Sequence, residues 1–443
     1  LAKGDVDKDG LEDIYIGGAS GQAGELMFQQ KNGTFKPKAQ TIFQQDIRSE
    51  DCDAVFFDAD NDNDLDLYVV SGGNEFDNND TALQDRLYIN DGKGNFSKSK
   101  LPQETISGSC VRPADIDNDG DIDLLVGGRL TPQKYPQTPE SQLLLNQGKG
   151  VFIKENRANI LSNVGMVTDA VWVDLNNDKF LDLVMVGEWM PLKVFINRKG
   201  NFTDESATWF SQPSGGLWNK ILAEDFDNDG DVDLVVGNHG LNSQIKANEN
   251  QPATITFKDF DENGTLDPIM SYYLGGKSYP SPSRDDLLEH LPMLKKKFTD
   301  YKSYADAQIN DLFDANQLKG SSTLNAENLQ TSYFENTGKS FKTKTLPVQV
   351  QFSPVYAIAT TDVNGDGKKD LILAGNLSTA RIKFGKYDAS NGTVLLGDGK
   401  GNFEYLRNRK TGLNLKGDVR SLMTINKKLI VGTNNDRLRV FEY

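Results

Sequence analysis

The chain has 443 residues, 37% hydrophobic and 25% charged, with 48 Lys and Arg against 64 Asp and Glu and a formal net charge of -16. That balance argues against a nucleic-acid groove, which needs clustered cations, and no apolar run has the length needed to cross a bilayer as a helix. The two cysteines cannot form a zinc site by themselves.

The first residues, LAKGD, run straight into an acidic loop, so the chain is expected to be a piece of a longer or processed protein. That loop, DVDKDGLED from Asp5, is followed by DADNDNDLD from Asp58, DIDNDGDID from Asp115, DLNNDKFLD from Asp174, DFDNDGDVD from Asp225, DFDENGTLD from Asp259 and DVNGDGKKD from Asp362. The seven starts are 53, 57, 59, 51, 34 and 103 residues apart. Short β-type runs flank the loops, such as AVFF before Asp58, LYVV after Asp66, LLV after Asp123, LVMV after Asp182 and LVV after Asp233. Each loop is therefore expected to join two strands of a hairpin.

A second pattern lies further along each unit: LYINDGKGNF (87–96), LLLNQGKGVF (143–152), VFINRKGNF (194–202), VLLGDGKGNF (394–403), with YFENTGKSF (333–341) and MFQQKNGTF (27–35) as weaker relatives. It reads as strand, Gly-rich turn, strand. One unit then supplies about four strands, and such units repeated radially make a β-propeller, whose closure removes open sheet edges. LILAGN (371–376) is echoed by LIVGTN (429–434), so a last unit exists without an Asp loop. The expectation is an all-β, single-domain propeller over 1–443 with seven or eight four-stranded blades, eight being preferred.

Seven acidic loops would repel themselves if nothing neutralised them. Calcium takes roughly six to eight oxygen ligands, and alternate carboxylates on a tight loop supply them. The expected side-chain ligands stand at loop positions 1, 3, 5 and 9. They are Asp5, Asp7, Asp9 and Asp13; Asp58, Asp60, Asp62 and Asp66; Asp115, Asp117, Asp119 and Asp123; Asp174, Asn176, Asp178 and Asp182; Asp225, Asp227, Asp229 and Asp233; Asp259, Asp261, Asn263 and Asp267; and Asp362, Asn364, Asp366 and Asp370. The carbonyl of residue 121 is expected to add a ligand in the third loop, and Gly120 to turn through positive φ. Several ions, up to seven, are expected, and seven would move the net charge from -16 to -2. An EF-hand is excluded because its position 12 needs a bidentate Glu, whereas Ile16, Val69, Val126, Met185, Val236, Met270 and Leu373 stand there. The fourth loop, with Lys179 at the turn and Asn176 at position 3, is expected to be the weakest. Cys52 and Cys110 lie just upstream of consecutive loops, and either a disulfide or two buried thiols fits the sequence.

If the loops join first and second strands, all the ions lie on one face and the second strands end at the other. Long irregular connections follow there, from 72, 127, 187, 237 and 375, and loops on a rigid scaffold are where binding residues usually sit. Asn74, Glu75, Arg129, Glu188, Trp189, Asn238, His239, Asn376 and Arg381 are expected to converge on that metal-free face; the plainer alternative is that they only satisfy backbone groups. In SRDDLLEHLPMLKKKFTDYKSYADAQINDLF (283–313), Leu287, Leu291, Leu294 and Phe298 repeat at helical spacing. A helical insertion over 280–328 is expected to cap the same face, with Ser283 as N-cap and a break at Pro292.

Over nearly the whole chain, and most specifically in GDVDKDGLEDIYIGGASGQAG and SPVYAIATTDVNGDGKKDLILAGN, the sequence resembles the FG-GAP/VCBS repeats of integrin-α-type propellers. It is similar, more closely, to bacterial surface proteins related to cartilage acidic protein, which often also carry an ASPIC/UnbV domain; no such segment is visible here. The resemblance implies an exported, calcium-loaded propeller at the extracellular or outer-membrane surface, and no agreed activity. Two functions fit. One is a non-catalytic binding or scaffold module that recognises a protein partner or glycan at the face opposite the calcium loops, as part of a cell-surface or outer-membrane assembly. The other is a polysaccharide lyase, which needs a base such as His or Tyr and a cation or Arg. Only His239 and His290 exist, and no nucleophile elbow, phosphate loop or zinc motif is present, so the binding module is preferred and no catalytic residue is assigned.

Overall fold

Each Asp loop turns the chain back on itself, and the strands on its two sides pair in register. In the third unit Asp123 faces Ala114, Leu124 faces Pro113 and Leu125 faces Arg112. The sheet then runs outward through Ser107–Ala114, Asp123–Leu130, Gln142–Asn146 and Phe152–Lys154. Successive side chains of a strand point to opposite faces. Thus Leu124 and Val126 join Phe57, Tyr68 and Val70 of the second sheet, while Leu125 joins Val167, Leu183 and Met185 of the fourth. Both faces of the strand are covered, which is why it is apolar without interruption and stays buried until Arg129.

The structure, a computed structural model, describes residues 1–155 and 159–443. Among the described residues there are eight antiparallel sheets; six have four strands, one gains a fifth at Gly216–Leu217, and the last has three. This all-β architecture is consistent with a β-propeller-like fold. Seven sheets follow one another along the chain, at 2–38, 50–99, 107–154, 166–204, 220–345, 355–406 and 419–442. An apolar cluster lies between each consecutive pair. A further one joins the last to the first, where Ile425 and Ile430 pack with Ile14, Leu1, Met27 and Phe35. Lys3 and Lys428 bridge the same two sheets, donating to the carbonyls of Thr424 and Gly33 at 3.1 and 2.8 Å. On the innermost strands Arg112 of the third sheet pairs with Asp53 of the second and Asp169 of the fourth, and Lys220 of the fifth reaches Asp169 at 3.0 Å. The seventh hairpin has no Asp loop; Asn426 and Lys427 turn it with φ of 47° and 61°, the tight-turn conformation that suits strand twist.

The eighth sheet is not a further member of this succession. The fifth sheet is built from Lys220–Glu224, Asp233–Gly237, Ser332–Asn336 and Phe341–Thr345. Between its second and third strands the chain makes a separate sheet of Ala253–Phe257, Ile269–Leu274, Lys277–Pro280 and Ser322–Ala326. The short spacing of 34 residues has its cause here, because the sixth loop turns the first hairpin of this inserted sheet. The insert leaves the fifth sheet at the end opposite that sheet's Asp loop. The expectation that all seven loops share one face therefore fails at the sixth.

Within the insert Ser283 accepts from the N–H of Asp286 and the Asp286 carboxylate accepts from the N–H of Ser283, capping the helix Arg284–His290. The helix stops where Leu291 leaves helical geometry, with φ -121° and ψ 75°, before Pro292. A 3-10 turn Pro292–Lys296 and the short helices Tyr301–Ala305, Ile309–Leu312 and Ala315–Leu318 follow. Residues 322–326, placed in the helical segment by sequence, are instead a strand paired with Ala253–Phe257. Both cysteines are free thiols, Cys110 buried and Cys52 exposed, so no disulfide joins them. Among the described residues no helix is long and apolar enough to cross a membrane.

Candidate functional site

The Asp loops share one hydrogen-bond plan. In the third, the Asp115 carboxylate accepts from the N–H groups of Asp119 and Gly120 at 3.2 and 3.0 Å, and Asp119 accepts from Asp121 at 2.9 Å. The turn needs two left-handed residues, Asn118 (φ 62°) and Gly120 (φ 94°). Asp123 closes the loop, its Oδ2 accepting from Ile116 at 3.4 Å and its Oδ1 from Asn146 at 2.8 Å. The corresponding Asp66, Asp182, Asp233 and Asp370 do the same with their own loops and neighbouring turns. These closing carboxylates are buried. Burial pushes Asp13, Asp66 and Asp123 up to about 7, and Asp182 and Asp233 up to about 6.

Five loops bring three carboxylates together with oxygens within 4.8 Å of one another: Asp5, Asp7 and Asp13; Asp58, Asp60 and Asp62; Asp115, Asp117 and Asp119; Asp225, Asp227 and Asp229; Asp259, Asp261 and Asp267. In the fourth and seventh, Asn176 and Asn364 occupy position 3, and each accepts from the N–H two residues on. Lys179 holds φ of 73° at the turn of the fourth loop, a conformation costly for a residue with a Cβ. Asp7 Oδ1 and Asp60 Oδ1 are buried and accept no hydrogen bond. The donor set is all oxygen, and these orphaned oxygens fit a hard cation such as calcium.

Residues 5–69, 58–126 and 174–236 each match the model of the FG-GAP-like repeat. These stretches, 5–126 and 174–236 taken together, are similar to FG-GAP-like repeats. Each matched stretch opens at the first Asp of one loop and ends in the strand after the next. No curated protein matches the chain by sequence. Among solved structures, the crystal structure of the V. cholerae biofilm matrix protein Bap1 is similar at 12% identity over 100% of this chain and 86% of that one, with a TM-score of 0.35. That of BBS1N in complex with ARL6DN, soaked with lead, is similar at 12% identity over 88% and 91%, with a TM-score of 0.34. Likenesses this distant carry no argument about function.

The Gly-rich turns hold a set of residues that loop chemistry alone did not single out. Asn90, Asn146 and Asn197, at the start of the Gly-rich turns, donate to the carbonyls of Val6, Ala59 and Ile116 in the preceding unit's loop, each at 2.8 Å. The recurrence of Asn in LYIN, LLLN and VFIN was the available signal.

At the other end of the repeats the nine candidate residues divide. Arg129 pairs with Glu188 at 2.6 Å, and the Tyr135 hydroxyl donates to Glu188 at 3.4 Å. Trp189 was expected in an exposed connection; it is 5% exposed, packed with Met166, Ile245, Ala253 and Ile255, because the inserted sheet lies over it. Its indole N–H donates to Tyr135 at 2.8 Å. Asn238 and Asn376 are buried and serve the backbone, donating to Asn328, and to Ser390 and Gly417. His239 lies edge-on to Tyr387 with centroids 4.7 Å apart, and burial lowers its pKa to about 4. Asn74 is exposed and accepts from the Gln133 N–H at 2.8 Å; Glu75 and Arg381 are exposed. Tyr356, Arg420 and Asp418, unremarked in the sequence, join Arg129 and Glu188. The Arg420 guanidinium lies 4.1 Å from the Tyr356 ring and 3.7 Å from Asp418. Burial, followed by the Glu188 carboxylate, raises the Tyr356 pKa.

Proposed function

We propose that the protein is a calcium-stabilised binding module of the extracellular or outer-membrane surface. In this reading its seven successive sheets form a closed ring of blades, supported by the cluster of Ile14 with Ile425 and Ile430. The metal rests on one observation, the buried carboxylate oxygens of Asp7 and Asp60 that accept no hydrogen bond. A buried carboxylate oxygen with no partner is costly, and a bound cation removes the cost. Position 1, 3, 5 and 9 side chains would hold the ion, and its chemistry is structural: it cancels repulsion within each loop. Extracellular modules work with calcium affinities of about 10⁻⁴ to 10⁻³ M, which suits that location.

The ligand is placed at the metal-free mouth, around Arg129, Glu188, Tyr135, Tyr356 and Arg420. Each arginine there already has a carboxylate, Glu188 or Asp418. Charge-balanced donors and acceptors beside aromatic rings suit the hydroxyls and ring faces of a glycan better than a polyanion. A lyase is not favoured, because the His239 ring is packed edge-on to Tyr387 and its Nε2 already pairs with the Ser243 hydroxyl at 3.2 Å. Glycan-array binding by the intact protein is expected, and Arg129→Ala with Arg420→Ala is expected to abolish it while the melting profile in calcium survives. Metal analysis in excess calcium finding fewer than about three ions per chain would sink the multi-site reading. An empty array would sink the glycan.

A further inference from the structure

We infer that the face opposite the Asp loops carries a second docking surface, built around Ile382, that takes an acidic protein segment with apolar anchors. Ile382 is 98% exposed, and Val348, Phe352 and Leu241 are 61%, 41% and 39% exposed. Single exposed apolar residues need no explanation, but a group gathered on adjoining connections does. These four come from three connections that are stitched together. The N–H groups of Leu241 and Asn242 donate to the carbonyl of Gln351 at 2.9 and 3.1 Å, and the Asn242 side chain donates to the carbonyl of Phe352 at 3.2 Å. The Gln244 side chain donates to the carbonyl of Lys383 at 3.2 Å. Ile382 is held outward, not left loose: Phe384 is packed into the cluster around Trp189, and Leu377 and Tyr387 exchange backbone hydrogen bonds below it.

Charge defines the partner. Arg381, Lys383 and Lys386 flank Ile382 along the chain, Lys246 lies beside Leu241, and all four are exposed. The Lys383 ammonium lies 5.3 Å from the Phe384 ring, and the Lys246 ammonium donates to Leu241. Nearby acids are Asp286, close to Arg381 and Lys383, and Asp388. A local excess of cations is out of keeping with a chain of net charge -16. An apolar centre with a cationic rim is complementary to a segment that offers large apolar side chains flanked by Asp or Glu. A peptide segment feels the local field within a Debye length of about 8 Å. An anionic bilayer would meet the repulsion of the whole acidic chain, so the protein segment is the better fit.

The test is selection from a phage-displayed random peptide library on the intact protein, followed by fluorescence anisotropy with the enriched peptides. Peptides combining Asp or Glu with one or two large apolar residues are expected, with affinity falling as salt rises. Ile382→Asp, and separately Arg381→Glu with Lys383→Glu, are expected to weaken binding about tenfold or more without changing the circular dichroism spectrum or Tm. Enrichment of peptides without acidic residues, or of none, overturns the proposal, as does binding that both variants leave intact. Flotation with phosphatidylserine vesicles in place of peptide binding would assign the surface to lipid. Self-association lost in Ile382→Asp would assign it to a second copy.

Discussion

The side-chain amide of Asn146 donates to the carbonyl of Ala59, 87 residues earlier, at 2.8 Å, and so ties the Gly-rich turn of the third sheet to the Asp loop of the second. The same amide reaches Ile122, and its oxygen accepts from Gly148. Asn146→Ala removes all three, although the Ala59 carbonyl keeps the Gly150 N–H at 3.0 Å. It is expected to destabilise the protein by about 1–3 kcal/mol, measured by urea unfolding. A change indistinguishable from that of an exposed control such as Asn95→Ala would show that the staple contributes nothing.

Stability without calcium should depend on pH in a particular direction. Asp13, Asp66 and Asp123 are raised to about 7, chiefly by burial. A carboxyl raised above its unfolded value of about 4 contributes stability that is fully present below that value and lost as pH rises through 7. In EDTA, Tm is expected to fall between pH 5 and pH 8. In excess calcium, where metal and proton compete for the same oxygens, it is expected to rise over that range. Parallel curves in the two buffers would rule out calcium at the closing carboxylates.

The fourth loop offers a stabilising substitution. Lys179 sits at φ 73°, where glycine bears no Cβ penalty. Lys179→Gly is expected to gain about 1 kcal/mol and to tighten calcium binding at that loop, by thermal shift and calorimetry. By the same reasoning Asp117→Ala should lower Tm in calcium more than Asp178→Ala. The reverse order would mean that backbone geometry does not rank the sites.

Trp189→Ala is expected to cost about 3–5 kcal/mol, as for other buried aromatic truncations, and to expose the insert to limited proteolysis near residues 284–318. Arg129→Ala should leave Tm nearly unchanged, since its guanidinium pairs at a partly open site. If the two variants melt alike, the inserted sheet is not held by the Trp189 cluster.

Much of this was legible in the residues. The Asp spacing located the seven loops, the apolar runs beside them became the first two strands of their hairpins, and Ser283 and Pro292 start and stop a helix as local chemistry requires. What could not be read was which sheet a strand joins. The run before Asp259 looks like any other first strand, yet Ala253–Phe257 pairs with Ser322–Ala326 rather than entering the succession, because strand order depends on contacts far apart in sequence. Trp189 was misplaced for the same reason: a strand end carries no record of what will pack across it. Tyr356 and Arg420 were missed because they stand on the inner strands Val355–Thr361 and Val419–Ile425, where only the assembled sheets bring them to Arg129.

The interruption of the fifth sheet has a consequence for how the molecule forms. Leu234 pairs with Phe334, so this sheet must close a loop of about a hundred residues, while the first four can zip from neighbouring hairpins. Closure entropy grows slowly with length, yet such distant pairing is intrinsically late. During synthesis, four units are complete while Asp233–Gly237 waits with an unpaired apolar edge until the whole insert has been made. That interval is when a nascent chain is most open to wrong pairing, and an insert with an apolar cluster of its own, around Phe260 and Phe313, shortens the distance to be closed once it has packed.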